Sequence, residues 1–319
     1  MAVESAQEKK RLENRSLLVA IVGNLLMAAA GLFTGLVANS NAIMVDGLFS
    51  LIGFGSAFLA RRINRRINAG PDNTRPFGYA ADEAIFTTFR SLSLLGLVLF
   101  AVANAFGNIY EYIRGAPPVA LNFTPMIAYF AGVGLTCAFL WGFHHFTWRL
   151  TGRTSAILRL EARAAMFDGA ITAAAGLGLG AIYMFRDGPL AAIAPIGDSL
   201  IVLLLCLLAV GSYVSSFKDG LSELAHVTAS PNDVAVVRRA LRQAITDDGG
   251  VLTDVSVTKM GRTFFVTTYY NPRRPVLPTE VDGLNLRMIH DVREVLPGAD
   301  VLLVITEHPR RWPNALHEY

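Results

Sequence analysis

The sequence predicts a membrane α-helical bundle of six transmembrane helices followed by a small cytoplasmic α+β domain. Three observations carry this reading. Of 319 residues, 53% are hydrophobic and only 17% are charged, which is too apolar for an ordinary soluble domain. The apolar residues gather in six runs, each near the roughly 20 helical residues that cross about 30 Å of hydrocarbon. Beyond Ser215 the composition turns polar and the periodicity becomes mixed. Residues 1–215 are therefore expected to form the membrane domain and residues 216–319 the cytoplasmic one.

The six runs fall near 17–38, 42–60, 89–109, 126–146, 164–185 and 198–214. The first is too long for a cleavable signal peptide and is followed at once by a second span. Basic residues set the orientation, because arginine and lysine are retained on the cytoplasmic side. Lys9, Lys10, Arg11 and Arg15 precede the first span. Arg61, Arg62, Arg65, Arg66 and Arg75 follow the second, and Arg149, Arg153 and Arg159 follow the fourth. The opposite connections hold chiefly Arg114 and Arg186. Both termini are expected in the cytoplasm. The net charge of +3 is this topological signal, so no nucleic-acid partner is expected. Cys137 and Cys206 lie within spans and read as small apolar fillers. No disulfide framework or zinc-type cysteine cluster is present in the sequence.

In the tail, residues 231–247 show a helical apolar pattern with Ser230 as N-cap and Pro231 at the first helical position. Residues 251–259 and 263–270 read as strands separated by Met260-Gly-Arg. A second helix is predicted over 278–295, closed by Pro297-Gly298, and a buried strand over 299–306. The order αββαβ predicts a small two-layer, ferredoxin-like domain with helices on one face of a sheet.

Two aspartates, Asp46 and Asp168, each followed by glycine, lie inside the apolar runs. An ionisable group at bilayer depth is costly enough to make function the default hypothesis.

Three passages then carry a family likeness. They are Ser40-Asn-Ala-Ile-Met-Val-Asp-Gly-Leu-Phe-Ser-Leu-Ile, Arg75-Pro-Phe-Gly-Tyr-Ala-Ala-Asp-Glu and Leu160-Glu-Ala-Arg-Ala-Ala-Met-Phe-Asp. In order and spacing the chain resembles the cation diffusion facilitators, metal-ion/proton antiporters with six spans and a cytoplasmic αββαβ domain. The likeness runs from about Arg15 to Pro309. It implies a multi-pass protein of the bacterial inner membrane, embedded in the lipid bilayer as a homodimer, that exports a divalent metal cation in exchange for protons. It implies no enzymatic activity and no cofactor, the cation being substrate. It also implies a tetrahedral site with two ligands four apart on the second span and two on the fifth. Those positions are here Phe49, Gly53, Ala164 and Asp168, of which only Asp168 is a ligand type.

A different site can be drawn from helix geometry. Asp46, Ser50 and Gly53 share one face of the second helix at i, i+4 and i+7. With Asp168 and Thr172 from the fifth, they make a candidate metal site of two carboxylates (Asp46, Asp168) and two hydroxyls (Ser50, Thr172). An oxygen-only set suits manganese, iron or magnesium better than zinc. Two carboxylates would neutralise a divalent ion and accept protons when empty. One geometric tension stands, since at about 1.5 Å per residue the two aspartates would differ in depth by more than 10 Å unless the fifth helix tilts or projects outward. Competing readings stay open: Asp46 as a helix-start carboxylate stabilised by its own helix dipole, and Asp168 in a salt bridge with Arg163 or Arg90. Asp198 reads as the N-cap of the sixth span.

Other polar positions point to structure. The family's loop site corresponds to Asp72, Arg75 and Tyr79, and an arginine cannot ligate a cation, so no metal is expected there. Phe77-Gly78 reads as a turn into the third span. The family's regulatory sites in the soluble domain fall on Thr253, Tyr269, Asp282, Thr306 and His308, a set with too few ligands for metal sensing. His144 and His145 read as interfacial residues beside Trp141 and Trp148. Asn24, Asn104 and Asn108 face the bundle or an ion path. The competing function is a non-transporting membrane scaffold or regulatory homologue of the same fold. An intramembrane aspartyl protease is disfavoured because neither aspartate sits in a Gly-x-Gly-Asp motif.

Overall fold

The computed structural model describes residues 2–66, 72–117, 121–150, 156–185, 188, 193–261 and 263–309. Arg153 and Arg186, used above for orientation, and Arg262 of the hairpin turn lie outside these residues. Two compact units are present. One comprises Met1–Arg65 with Phe89–Phe217, the other Arg66–Thr88 with Lys218–Tyr319.

The helices are α1 (Ala2–Ala38), α2 (Asn41–Arg66), α3 (Ala81–Ile113), α4 (Phe123–Leu150), α5 (Ala156–Phe185) and α6 (Gly197–Leu224), the last entered through a 3-10 turn at Ala194–Ile196. Among the described residues, six segments are long and apolar enough to cross a membrane: Asn14–Ala38, Asn41–Ile63, Ala81–Ile113, Phe123–Leu150, Glu161–Phe185 and Ala194–Leu224. All six predicted spans are found. The helices overrun the apolar runs because backbone hydrogen bonding continues past the residues that touch lipid.

Packing in the first unit follows small residues and a helical stripe. On α4, Met126, Tyr129, Val133, Cys137, Leu140, His144 and Thr147 are buried, a three-four spacing that keeps one seam facing neighbours. Leu135, Phe139 and Phe146 of the same helix are exposed, as a lipid-facing surface requires. Helices α1 and α2 approach backbone to backbone. A Cβ added to Gly31 would lie 2.5 Å from the Gly47 Cα, and one added to Gly35 would lie 2.9 Å from the Met44 Cα. In lipid such close contact replaces the hydrophobic driving force that water would supply. The pairings 31 with 47 and 35 with 44 make α1 and α2 antiparallel.

Asp198 corrects an expectation. Rather than capping α6, it caps α2. Ser40 Oγ donates to its Oδ1 at 2.5 Å, and the Asn41 backbone N–H donates to its Oδ2 at 2.8 Å. The first N–H groups of α2 lack partners within their own helix, and a carboxylate across the bundle satisfies them while complementing the helix dipole.

In the second unit the order is α7 (Pro231–Asp248), β1 (Val251–Met260), β2 (Thr263–Asn271), α8 (Pro278–Val295) and β3 (Asp300–Ile305). This is the predicted αββαβ order, with boundaries within one or two residues. Ser230 Oγ accepts from the Asp233 N–H at 3.2 Å, Pro231 opens α7, and Gly249 closes it at φ 77°. The sheet order is β1-β2-β3, β1 antiparallel to β2 (Val257 opposite Val266) and β2 parallel to β3 (Val266 opposite Val301). Along β2, Val266, Thr268 and Tyr270 alternate inward, the period of a strand with one buried face. Helix α7 packs on β1, α8 on β3, and the helices on each other, burying Val237, Leu241, Met288 and Val292. Tyr270 is 1% exposed and its hydroxyl donates to Asp248. Burial, reinforced by that bond, pushes its phenol up to about 12.

Candidate functional site

Four helices meet around Asp46. Its Oδ2 accepts from the Tyr129 hydroxyl of α4 at 2.6 Å and from the Thr172 hydroxyl of α5 at 3.2 Å. Asp46 is 6% exposed, Tyr129 4% and Thr172 2%. From α1, the position a Gly31 side chain would take lies 3.1 Å from the Tyr129 hydroxyl. The reading of Asp46 as a helix-start carboxylate does not hold, because its partners come from other helices and Asp198 serves the start of α2.

The register of α2 and α5 follows from this contact. Met27 Sδ accepts from the Cys137 thiol at 3.5 Å, and a Cβ on Gly169 would lie 3.2 Å from the Cys137 Cβ. Gly23 likewise abuts Leu140, and Gly176 abuts Phe130. Helix α1 is thus antiparallel to α2 and α4, α4 is antiparallel to α5, and α2 therefore runs opposite to α5. With Asp46 beside Thr172, one turn along each helix brings Ser50 to the level of Asp168. Asp168 then lies about 6 Å below Thr172 along the axis, four residues at about 1.5 Å each. The depth mismatch of more than 10 Å is removed, because α5 begins at Ala156 and carries Asp168 well inside the helix. Of the four residues singled out from the sequence, Asp46 and Thr172 touch, while Ser50 and Asp168 lie a turn away on the same helix faces.

Asp168 is half-buried. The charges acting on it are those of Asp46, Arg90 and Glu161. Arg90 acts on both Glu161 and Asp168, yet among the described residues neither carboxylate forms an ion pair with it within the 4.0 Å of a salt bridge. Arg163 is exposed. Glu161 was missed from the sequence, although its i, i+7 spacing to Asp168 puts both on one face of α5. Nothing in the sequence signalled Tyr129. Among the described residues no group of three or more His, Cys, Asp or Glu could hold a metal ion, so any cation here needs hydroxyl, amide or water oxygens beside the carboxylates.

The positions implied by family resemblance have other occupants. Phe49 packs on Tyr213 with centroids 5.9 Å apart. The space beside Gly53 holds Asn24, and Ala164 is half-buried.

In the second unit, Asp72 accepts from the Thr74 hydroxyl at 2.7 Å, the Tyr79 hydroxyl at 2.6 Å and the backbone N–H groups of Thr74 and Arg75, each at 2.8 Å. The Tyr79 bond first, then those of Thr74 and Arg75, hold its carboxyl below the usual range. Arg75 pairs with Asp82, and Gly78 turns the chain at φ 76°. This is a locked loop whose donors already fill the carboxylate. In the soluble domain, Thr253 donates to the Tyr269 carbonyl at 2.8 Å, the His308 N–H donates to Thr306 Oγ1 at 3.0 Å, and Asp282 is exposed. The histidine pair divides. His145 lies on Trp141 and Trp148, as an interfacial residue would. His144 instead is 1% exposed and hydrogen-bonded to Ser16 at 2.5 Å, because it falls on the buried stripe of α4.

Six helices long and apolar enough to cross a membrane, two of them carrying Asp46 and Asp168, define a polytopic membrane protein. Residues 17–225 match the cation efflux transmembrane domain, and the chain belongs to the cation efflux family. It is 26% identical over 128 residues to the manganese efflux system protein MneP of Bacillus subtilis (strain 168), a match covering 40% of this chain and 42% of that protein. The match thus spans less than half the length of that relative.

Proposed function

We propose that this protein exports a divalent metal cation from the cytoplasm in exchange for protons, through a site centred on Asp168 and completed by Asp46, Ser50 and Thr172. The observation that carries the reading is the Thr172 to Asp46 hydrogen bond, which aligns the acidic faces of α2 and α5. Carboxylates and hydroxyls are hard donors, so manganese, ferrous iron or magnesium is favoured over zinc. The manganese efflux relative points the same way. Two carboxylates in a dry bundle are costly when both are charged and unpaired. Binding a divalent ion removes that cost, and so does binding protons, which gives the exchange its coupling. Alternating access would then expose the site to either side as helices slide on glycine-lined contacts. The basic loops favour cytoplasmic termini, and in this reading the αββαβ domain serves assembly as a two-fold dimer.

The test is metal uptake into proteoliposomes containing a pH-sensitive dye, comparing wild type with Asp46→Ala and Asp168→Ala across manganese, iron, magnesium, cobalt and zinc. The expected result is manganese-dependent proton flux in wild type that is lost in Asp168→Ala. If wild type moves metal and both variants match it, the site is wrong. The second reading, a non-transporting scaffold, is favoured by one feature: Phe49, Gly53 and Ala164 supply no side-chain ligand. A wild type that moves no metal under a proton gradient would select it.

A further inference from the structure

Helix α1 presents Asn24, Met27 and Gly31 at i, i+3 and i+7, a single face. Each of the three meets the seam that holds the candidate site. Gly31 abuts Gly47 and the Tyr129 hydroxyl that binds Asp46. Met27 meets Cys137, which abuts Gly169 beside Asp168. Asn24 abuts Gly53, on the α2 face that carries Asp46 and Ser50, and the atom nearest the missing side chain is the amide oxygen Oδ1, 3.2 Å from where a Cβ would stand. The absent side chain of Gly53 leaves room for the Asn24 amide.

The register places that amide one turn beyond the level of Asp168. Gly53 lies seven residues beyond Asp46 on α2, and Ala164 lies eight before Thr172 on the antiparallel α5. The two therefore lie at one level, one turn beyond that of Ser50 and Asp168. Asn24 is half-buried, with its amide oxygen and nitrogen 3.2 and 3.6 Å from where a Gly53 Cβ would stand. A hard divalent cation takes about six oxygens, more than Asp46, Ser50, Asp168 and Thr172 offer.

We propose that Asn24 supplies a neutral amide oxygen to the transported cation from α1, in the space that Gly53 leaves open on α2. This rests on the Asp168-centred site proposed above and adds to it a ligand from a third helix. An amide oxygen adds a hard donor without adding charge, so the bound complex stays near neutrality with two carboxylates and one divalent ion.

The experiment measures manganese uptake in proteoliposomes for wild type, Asn24→Leu, Asn24→Asp and Asp168→Ala, with thermal midpoints in detergent as a control. Asn24→Leu keeps the branching at Cγ and removes the oxygen. It should raise KM about tenfold, one lost ligand contact, with an unchanged or higher midpoint. Asn24→Asp restores an oxygen and should bring KM to the wild-type value or below. Wild-type KM in Asn24→Leu, or equal impairment in Asn24→Leu and Asn24→Asp, overturns the assignment while leaving the site intact provided Asp168→Ala is inactive. Transport by Asp168→Ala at the wild-type rate removes the underlying site instead. Should Asn24→Leu fail to purify as a monodisperse protein, Asn24→Ala replaces it under the same criteria.

Discussion

Tyr129 and Asp46 make the shortest interhelical contact to the candidate site, 2.6 Å, against 3.2 Å for Thr172 and Asp46. Removing the phenolic oxygen by Tyr129→Phe keeps the ring in place and leaves Asp46 with Thr172 alone. A hydrogen bond to a charged group contributes about 1.5–3 kcal/mol in soluble proteins. Interhelical bonds in a bilayer average nearer 0.6 kcal/mol, with a maximum of about 1.7, because the unfolded chain in the membrane also finds partners. The short distance and the burial of both groups place this pair near the upper end, so a coupling of about 1–1.5 kcal/mol is expected between Tyr129→Phe and Asp46→Asn. The longer Thr172 bond should couple by about half that or less. The assay is a double-mutant cycle by reversible unfolding in mixed micelles, followed by tryptophan fluorescence. A Tyr129 coupling below about 0.3 kcal/mol, which is within the additivity error for independent sites, would refute the claim that this contact orders the site. A Thr172 coupling larger than that of Tyr129 would do the same.

Two further outcomes follow from capping and packing. Asp198→Ala strips the N–H groups at the start of α2 of their acceptor and should destabilise the protein by about 0.5–2 kcal/mol, the cost of a lost cap. The same unfolding assay measures it, and an unchanged midpoint contradicts the cap. In the soluble domain, a Cβ at Gly250 would lie 2.0 Å from the Tyr270 hydroxyl, so Gly250→Ala should cost about 1–3 kcal/mol through overpacking and accelerate proteolysis of that domain. Tyr270 also sets an alkaline limit. Its folded phenol titrates near 12, above the unfolded value of about 10. Its contribution to stability is therefore present below about pH 10 and is lost as pH rises through 12. Tyr270→Phe should flatten that loss in a pH series of midpoints.

Much of this architecture is legible in the sequence because its signals are local. Hydrocarbon thickness demands long apolar runs, and strand alternation with Pro and Gly punctuation marks the αββαβ tail, so both were readable residue by residue. The faces of α2 and α5 were also legible, since Asp46, Ser50 and Gly53 share a side by helix geometry alone. Other features needed three dimensions. The level of Asp168 relative to Asp46 depends on how far α5 slides along α2, a quantity that glycine contacts between helices decide and no single helix encodes. Asp198 offered its carboxylate to the start of α2, 158 positions away from Ser40, where only the folded bundle brings them together. His144 and His145 are neighbours in the chain yet lie on different faces of α4, one buried against Ser16 and one on a tryptophan. The sequence by itself determined which helices exist, that a small α/β region follows them and which charges lie within apolar helices. Tertiary structure alone decided their partners, because interhelical register is set by side-chain volumes summed across four helices.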